Sequence, residues 1–220
     1  MRMSVVIPTI FCFAFLSACQ STPEMTGQID PMTGLRSVEN TAFDKFSVES
    51  ADSLRKYKAI YFAPLDLSHL EIDARRLDMG ERNWPLSDTE KSKIIGYFSD
   101  SVMSSFKDSS IALANGPGEN VLTAAFSLTK FTPSASKDDA RNRMARDEVF
   151  TYNVGDLEMK GLLKDSISGY VLGSIEDTDK VGDTMQMERN DRINNTRKLK
   201  NTFSKWTKGL ASAFDTLNMK

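Results

Sequence analysis

The sequence predicts an α+β domain: a mainly antiparallel sheet of about five strands with two long amphipathic helices packed on one face. Two stripes of apolar residues at helical spacing indicate the helices, one in the middle of the chain and one at its end. Runs of alternating apolar residues between them indicate strands, including a hairpin. Strands that must bury one face and helices that must bury one stripe form such a layered fold.

The first helix is predicted from Ser87 to about Lys107. The run from Ser87 to Glu90 is a capping box, in which the Ser87 hydroxyl accepts the Glu90 N–H and the Glu90 side chain reaches back to the Ser87 N–H. One apolar face follows at spacings of three and four, formed by Ile94, Ile95, Phe98, Val102 and Phe106.

The last helix has the most regular stripe in the chain. Its apolar residues step by four, three, four, four and three: Leu199, Phe203, Trp206, Leu210, Phe214 and Leu217. Lysine and arginine side chains surround this stripe, which is typical of a packed helix with a solvated face. We therefore expect Trp206 to lie in the core.

Strands are predicted before and between the helices, with loops where charge or turn residues dominate. The predicted strands are Tyr57–Leu67, Ile111–Ala114, Asn120–Phe131, and a hairpin of Val149–Lys164 with Tyr170–Glu176 around the turn at 165–169. The first strand–helix–strand unit allows one parallel pair. The predicted long loops are Ser68–Pro85, Ser134–Glu148 and Asp177–Asn195.

The N-terminus predicts a lipid anchor at Cys19. An apolar run from Val5 to Leu16 follows the single basic residue Arg2, and Leu16-Ser17-Ala18-Cys19 resembles the lipobox of bacterial lipoproteins. About a dozen apolar residues are too few to span a bilayer, which needs about 20. We therefore predict a signal peptide over 1–18, a lipidated cysteine and flexible tether over 19–42, and one α+β domain over 43–220.

The predicted anchor indicates where the protein resides. The lipoprotein class implies a diacylated glyceryl group and an N-acyl chain. Each CH₂ of these chains that is buried in the bilayer strengthens membrane attachment by about 0.8 kcal/mol. Gln20 follows the cysteine, whereas an Asp there signals inner-membrane retention in Gram-negative lipoproteins. We expect attachment to the outer membrane on its periplasmic face. Cys12 lies in the signal peptide, so the mature chain has one thiol and no intramolecular disulfide.

Three stretches resemble the bacterial lipoprotein family known as domain of unknown function 3313. They are the strand Tyr57–Leu65 that ends in Ala63-Pro64, the hairpin from Leu157 to Leu172 with its Asp-Ser-x-x-Gly turn, and the final helix. The resemblance covers about Phe43 to Leu217. It departs from the family at Ile167-Ser168, where the family tends to place a threonine. The resemblance implies an envelope lipoprotein and transfers no functional residue.

The residues favour no catalytic or nucleic-acid-binding function. The chain carries 28 basic and 30 acidic residues, whereas nucleic-acid binding calls for a basic face. His69 is the only histidine, and the chain lacks a Gly-x-Ser-x-Gly motif. We expect no enzyme activity and no cofactor.

One acidic stretch is a weak candidate for calcium. Asp177, Asp179, Gly182 and Glu188 fall at positions one, three, six and twelve of an EF-hand-like loop. Position five is Val181, which has no side-chain oxygen, and a strand is predicted where the entering helix belongs. A solvated turn explains these acids better than a metal site.

Two functions remain open from the sequence. We favour a non-catalytic lipoprotein that is held to membrane lipid through Cys19 and acts as an accessory or assembly subunit with an envelope protein partner. The alternative is a binding module for a small envelope ligand, lipid or glycan, that uses Ser68–Pro85 or the hairpin face. A deep apolar pocket of several hundred Å³ would favour the ligand, and a flat exposed apolar patch the protein partner.

Overall fold

The computed structural model describes residues 24–25, 27, 29–79, 82–137, 148–182 and 185–219. Cys19, the predicted signal peptide and most of the predicted excursion Ser134–Glu148 lie outside the described residues. Within the described part of the chain, no helix combines the length and the apolar character needed to cross a membrane.

The described residues form eleven strands and three helices. The strands are β1 (Glu24–Met25), β2 (Arg36–Glu39), β3 (Lys45–Val48), β4 (Ala59–Phe62), β5 (Glu71–Ile72), β6 (Ala112–Leu113), β7 (Val121–Pro133), β8 (Phe150–Thr151), β9 (Gly155–Asp165), β10 (Val171–Lys180) and β11 (Glu188–Arg189). The helices are α1 (Ala51–Arg55), α2 (Asp88–Ser105) and α3 (Arg192–Met219).

Nine of these strands form one mixed sheet. Their order is β1-β2-β3-β10-β9-β7-β4-β6, and β5 also pairs with β7. β4 runs parallel to β6 and β7, and β5 runs parallel to β7. The remaining pairs are antiparallel, with β7, β9 and β10 as the long central strands. β8 and β11 form a separate two-stranded ribbon.

The predicted fold of about five strands with two helices on one face is therefore wrong. The sheet has nine strands, and a third helix, α1, packs against α3. The strands that were missed are two to four residues long, too short to show a period of two. β2 pairs with β3, and Val38 in β2 and Leu35 just before it are both buried. The sheet therefore includes part of the range 19–42 that was predicted as tether.

Proline explains why the first predicted strand is shorter than its apolar run. β4 stops at Phe62, and Pro64 has no N–H to give to the neighbouring strand. The chain pairs with β7 again at Asp66. The Asp66 N–H donates to the backbone carbonyl of Phe126, and Asp66 forms an isolated parallel β-bridge with Ser127. The predicted parallel pair within the first strand–helix–strand unit is present as β4 and β6.

Local signals located the long elements, but β10 continues to Lys180, inside the range predicted as the loop Asp177–Asn195. Ser87 caps α2 with both hydrogen bonds of the predicted capping box. The hairpin of β9 and β10 turns through Ser166–Gly169, where Gly169 has φ +71°. α3 begins earlier than its apolar stripe because Asp191 accepts the N–H of Asn194 at its start.

The core lies between the central strands and the two long helices. Inward-facing residues of β7, including Leu122 and Phe126, are buried, and the residues between them are half-buried. The ring of Phe98 in α2 lies 5.6 Å from Phe126 and 5.5 Å from Phe203 in α3. This aromatic contact fixes the two helices against the sheet.

Candidate functional site: an apolar cavity between the helices and the sheet

A cavity of about 640 Å³ lies beside this core. It is bounded by the first halves of α2 and α3 and by the sheet where β7 ends and β9 begins. Leu70, Ile72, Trp84 and Leu86 complete its boundary. Its volume falls within the range of small-molecule sites, about 300–1,000 Å³. Part of the predicted loop Ser68–Pro85 thus becomes a cavity wall.

The inner wall is apolar because it continues the inward face of the sheet. Leu128 in β7 and Leu157 in β9 are both buried, and Val181 follows the end of β10. Phe131 also lines the cavity, with its ring 5.5 Å from that of Trp84 and inclined to it by 67° in an edge-on contact. An aromatic pair in this edge-on arrangement packs favourably and gives the wall a fixed shape.

The helices complete the apolar lining. Ile94 and Tyr97 of α2 lie one turn apart, and Leu199 of α3 lies in the opposite wall. Each is partly exposed, although Ile94 and Leu199 belong to the apolar stripes that predicted the helices. The N-terminal residue of each stripe therefore lines the cavity and is not fully buried in the core.

Two buried polar atoms on cavity-lining residues have no hydrogen-bond partner within the described residues. One is the indole Nε1 of Trp84, a donor, and the other is the side-chain oxygen of Asn195 in α3, an acceptor. The amide of Asn195 donates to Asn190 at 2.8 Å, which agrees with this orientation of the side chain. An unsatisfied buried polar group costs about 1–3 kcal/mol. A bound molecule is one means of relieving that cost.

Among the residues that the structure describes, four charged ones line the cavity: Lys93, Lys137, Arg192 and Glu90. Lys137 Nζ lies 2.8 Å from Glu90 Oε1, and Ser87 donates to Glu90 Oε2 from both its N–H and its hydroxyl. Burial raises the pKa of Glu90, but the Lys137 and Ser87 hydrogen bonds outweigh it and leave that pKa below the usual value. Glu90 is therefore a carboxylate with its oxygens already occupied.

The structure gives each weak calcium candidate a different partner. Asp177 is buried and accepts the indole N–H of Trp206, and Asp179 pairs with Lys205 at 2.9 Å. Glu188 lies in β11 and pairs with Arg197 at 2.6 Å and with the buried Lys198 at 3.3 Å. Among the described residues, no group of three or more acidic, histidine or cysteine side chains is arranged to hold a metal ion.

His69 is exposed in the segment after β4 and does not line the cavity. Cys19 lies outside the described residues. Sequence reasoning missed Trp84 and Ile94 as lining residues. One signal in the sequence could have found them. Leu70, Ile72 and Trp84 are apolar residues in a segment otherwise rich in charge, and such residues indicate that part of the loop packs against the rest of the domain.

Comparisons with known proteins give distant structural likenesses only. No family model matches the chain, and no curated protein matches it. Two solved structures of a PelC dodecamer from Paraburkholderia phytofirmans, one of them a variant, match with TM-scores of 0.34 and 0.35 at 7% identity; each alignment covers 70% of this chain and 87% or 89% of the other.

A third solved structure comes from Xanthomonas campestris, the protein XCC0632 of the family model DUF330. It matches with a TM-score of 0.40 and 12% identity over 70% of this chain and 81% of the other. The family of that structure is domain of unknown function 330, whereas the sequence resemblance is to 3313. The resemblance to 3313 stays a prediction.

Proposed function

We propose that this domain is a binding module for a small apolar ligand, held in the cell envelope by a lipid on Cys19. The observation that carries the proposal is the cavity of about 640 Å³ between α2, α3 and the sheet. It is large enough for a small molecule and has apolar walls. The ligand-binding alternative therefore gains support over the accessory-subunit role that the sequence favoured.

The lining favours a lipid over a glycan. Leu128, Leu157 and Val181 form the buried inner wall, and removing their apolar surface from water favours binding by about 25 cal/mol per Å². A glycan presents hydroxyls that each need a hydrogen-bond partner. The unpartnered atoms of Trp84 and Asn195 supply one donor and one acceptor, which suits a ligand with a single polar end.

We propose no catalysis for this cavity. Its described lining contains no histidine or cysteine, and its one carboxylate is occupied by Lys137 and Ser87. The proposed location, the periplasmic face of the outer membrane, rests on the sequence around Cys19 and on Gln20. A binding domain on a lipidated tether would meet ligands at that membrane surface.

An envelope protein partner is the second candidate, and one observation favours it. Exposed apolar side chains lie in the ribbon of β8 and β11, at Phe150, and directly before its strands, at Val149 and Met187. An exposed apolar surface of this kind is typical of a protein contact. Crosslinking the lipidated chain in intact envelopes, with Phe150→Ser as the comparison, would test this second candidate.

The ligand-binding proposal is tested by filling the cavity. Ile94→Trp places a large ring in the cavity, whereas Met103→Trp adds the same ring to an exposed position of α2. We expect the unaltered chain and Met103→Trp to bind 1-dodecanol with equal affinity, and Ile94→Trp to lose binding. Titration calorimetry on folded protein is the measurement. Absence of binding by the unaltered chain, or equal binding by all three, would reject the proposal.

A further inference from the structure

We infer that the cavity selects single-chain amphiphiles with an anionic head group, an inference that rests on the ligand-binding role proposed above. The described lining combines apolar walls with three cationic side chains, Lys93, Lys137 and Arg192, and one carboxylate, Glu90, which pairs with Lys137. Lys93 makes no ion pair with a described residue, so it would attract an anionic head group and repel a cationic one.

The charged and apolar residues are segregated within the cavity. Lys93 and Arg192 are exposed and mark the side open to solvent, together with Ile193. Leu128 and Leu157 are buried and mark the inner side. A chain that enters with its apolar tail inward would therefore leave its head group beside the cationic residues.

Lys93 is the cation best suited to a ligand. Lys137 already contacts Glu90 and the carbonyl of Pro85. Lys93, one turn after Glu90 on α2, makes no ion pair with a described residue. Its ammonium can therefore approach an anionic head group without first breaking an ion pair with a described residue.

A matched ligand series on the full chain tests the inference. Dodecanoate, dodecyl phosphate, 1-dodecanol and dodecyltrimethylammonium share one tail and differ in the head group. By titration calorimetry below the concentrations at which they form micelles, we expect the two anions to bind about tenfold more tightly than the alcohol, and the cation more weakly. Raising the salt concentration should narrow the difference between anion and alcohol.

Substitution of Lys93 locates the effect. Lys93→Gln should weaken the anions severalfold and leave 1-dodecanol unchanged. Lys91→Gln is the matched control, because Lys91 lies on the same helix, pairs with Asp88 and does not line the cavity. This control should bind all four ligands like the unaltered chain.

The outcomes separate the two proposals. Equal affinities for the anions and the alcohol, or equal effects of Lys93→Gln on both, would overturn the charge selectivity and leave the ligand-binding role standing. Failure of every ligand to bind would overturn both. Tighter binding of only dodecanoate or only dodecyl phosphate would support the inference and assign the head group as carboxylate or phosphate.

Discussion

Trp206 donates a hydrogen bond from its indole Nε1 to Oδ2 of Asp177 across 2.5 Å, and both residues are buried. Oδ1 of the same carboxylate accepts the N–H of Asp44 at 2.9 Å, and Oδ2 of Asp44 accepts the N–H of Thr178. Burial raises the pKa of Asp177, against the effect of these hydrogen bonds. This contact ties α3 to β10 and to the residue before β3, so Asp177 has a structural role.

Truncating Trp206 should destabilise the protein strongly. Trp206→Ala removes the ring that packs beside Phe203 and takes the indole donor from Oδ2 of the buried Asp177, so we expect a loss of about 3–5 kcal/mol. Trp206→Phe keeps most of the packing and should lose about 1–3 kcal/mol, from the missing hydrogen bond. Urea unfolding followed by circular dichroism measures both. A near-neutral midpoint for Trp206→Ala would contradict the buried position.

The turn between β9 and β10 should make stability depend on pH through Asp165. Its carboxylate accepts the backbone N–H of Ser168 and the hydroxyl of Tyr57, and these hydrogen bonds lower its pKa well below the usual range. A lowered folded pKa contributes stability that is fully present above the unfolded pKa of about 3.9 and is lost as the pH falls through the lower folded value.

Asp165→Asn should therefore lower the melting temperature at neutral pH, and the difference from the unaltered chain should shrink as the pH falls from about 5 to 2. Asp108→Asn, an exposed acid just after α2, is the control and should show no difference at any pH. Thermal unfolding followed across this pH range is the measurement. A difference that persists undiminished in acid would mean that the carboxylate charge is not what stabilises the turn.

A methyl group should not be tolerated at Gly161. A Cβ there would meet the ring of Phe126 on the neighbouring strand, and that ring is held in place by Phe98 and by the stacked ring of Phe62. We expect Gly161→Ala to cost about 1–3 kcal/mol. Gly116→Ala is the matched control, because no atom lies within 4 Å of the added carbon. Chemical denaturation of both variants is the measurement. Equal stability of Gly161→Ala and Gly116→Ala would contradict the close contact between Gly161 and the Phe126 ring.

The lipid anchor is testable by a single substitution. Cys19→Ser removes the only thiol that could carry the lipid after cleavage, so the protein should move from the membrane fraction to the soluble fraction. Metabolic labelling with a fatty acid should mark the unaltered chain alone. Unchanged membrane association of Cys19→Ser would remove the basis for the proposed location.

Local signals predicted the long elements because their information lies within one segment. The capping box at Ser87 fixes the start of α2 through contacts three residues apart. The stripe from Leu199 to Leu217 predicts a helix and its buried face together, and the buried Trp206 confirms it. The alternation from Leu122 to Leu128 likewise predicts both a strand and its inward side.

The cavity could not be predicted in this way. Trp84, Ile94, Leu128 and Leu199 come from four separate segments, and each has an ordinary place in its own local pattern. Only the packing of α2 and α3 across the sheet leaves space between them. The short strands were missed for a related reason. β3 pairs with β10 across more than a hundred residues of sequence, so the local pattern of either strand does not indicate the other as its partner.

The sequence by itself determined where the chain forms helices and long strands, and it predicts the lipidated cysteine, because both depend on residues within a few positions of one another. The tertiary structure decided the size of the sheet, the partner of Asp177 and the existence of an apolar cavity with cationic residues at its open side. The physical reason is that burial and charge act through space: whether an acid at position 177 meets calcium or the indole of Trp206 depends on what folds against it.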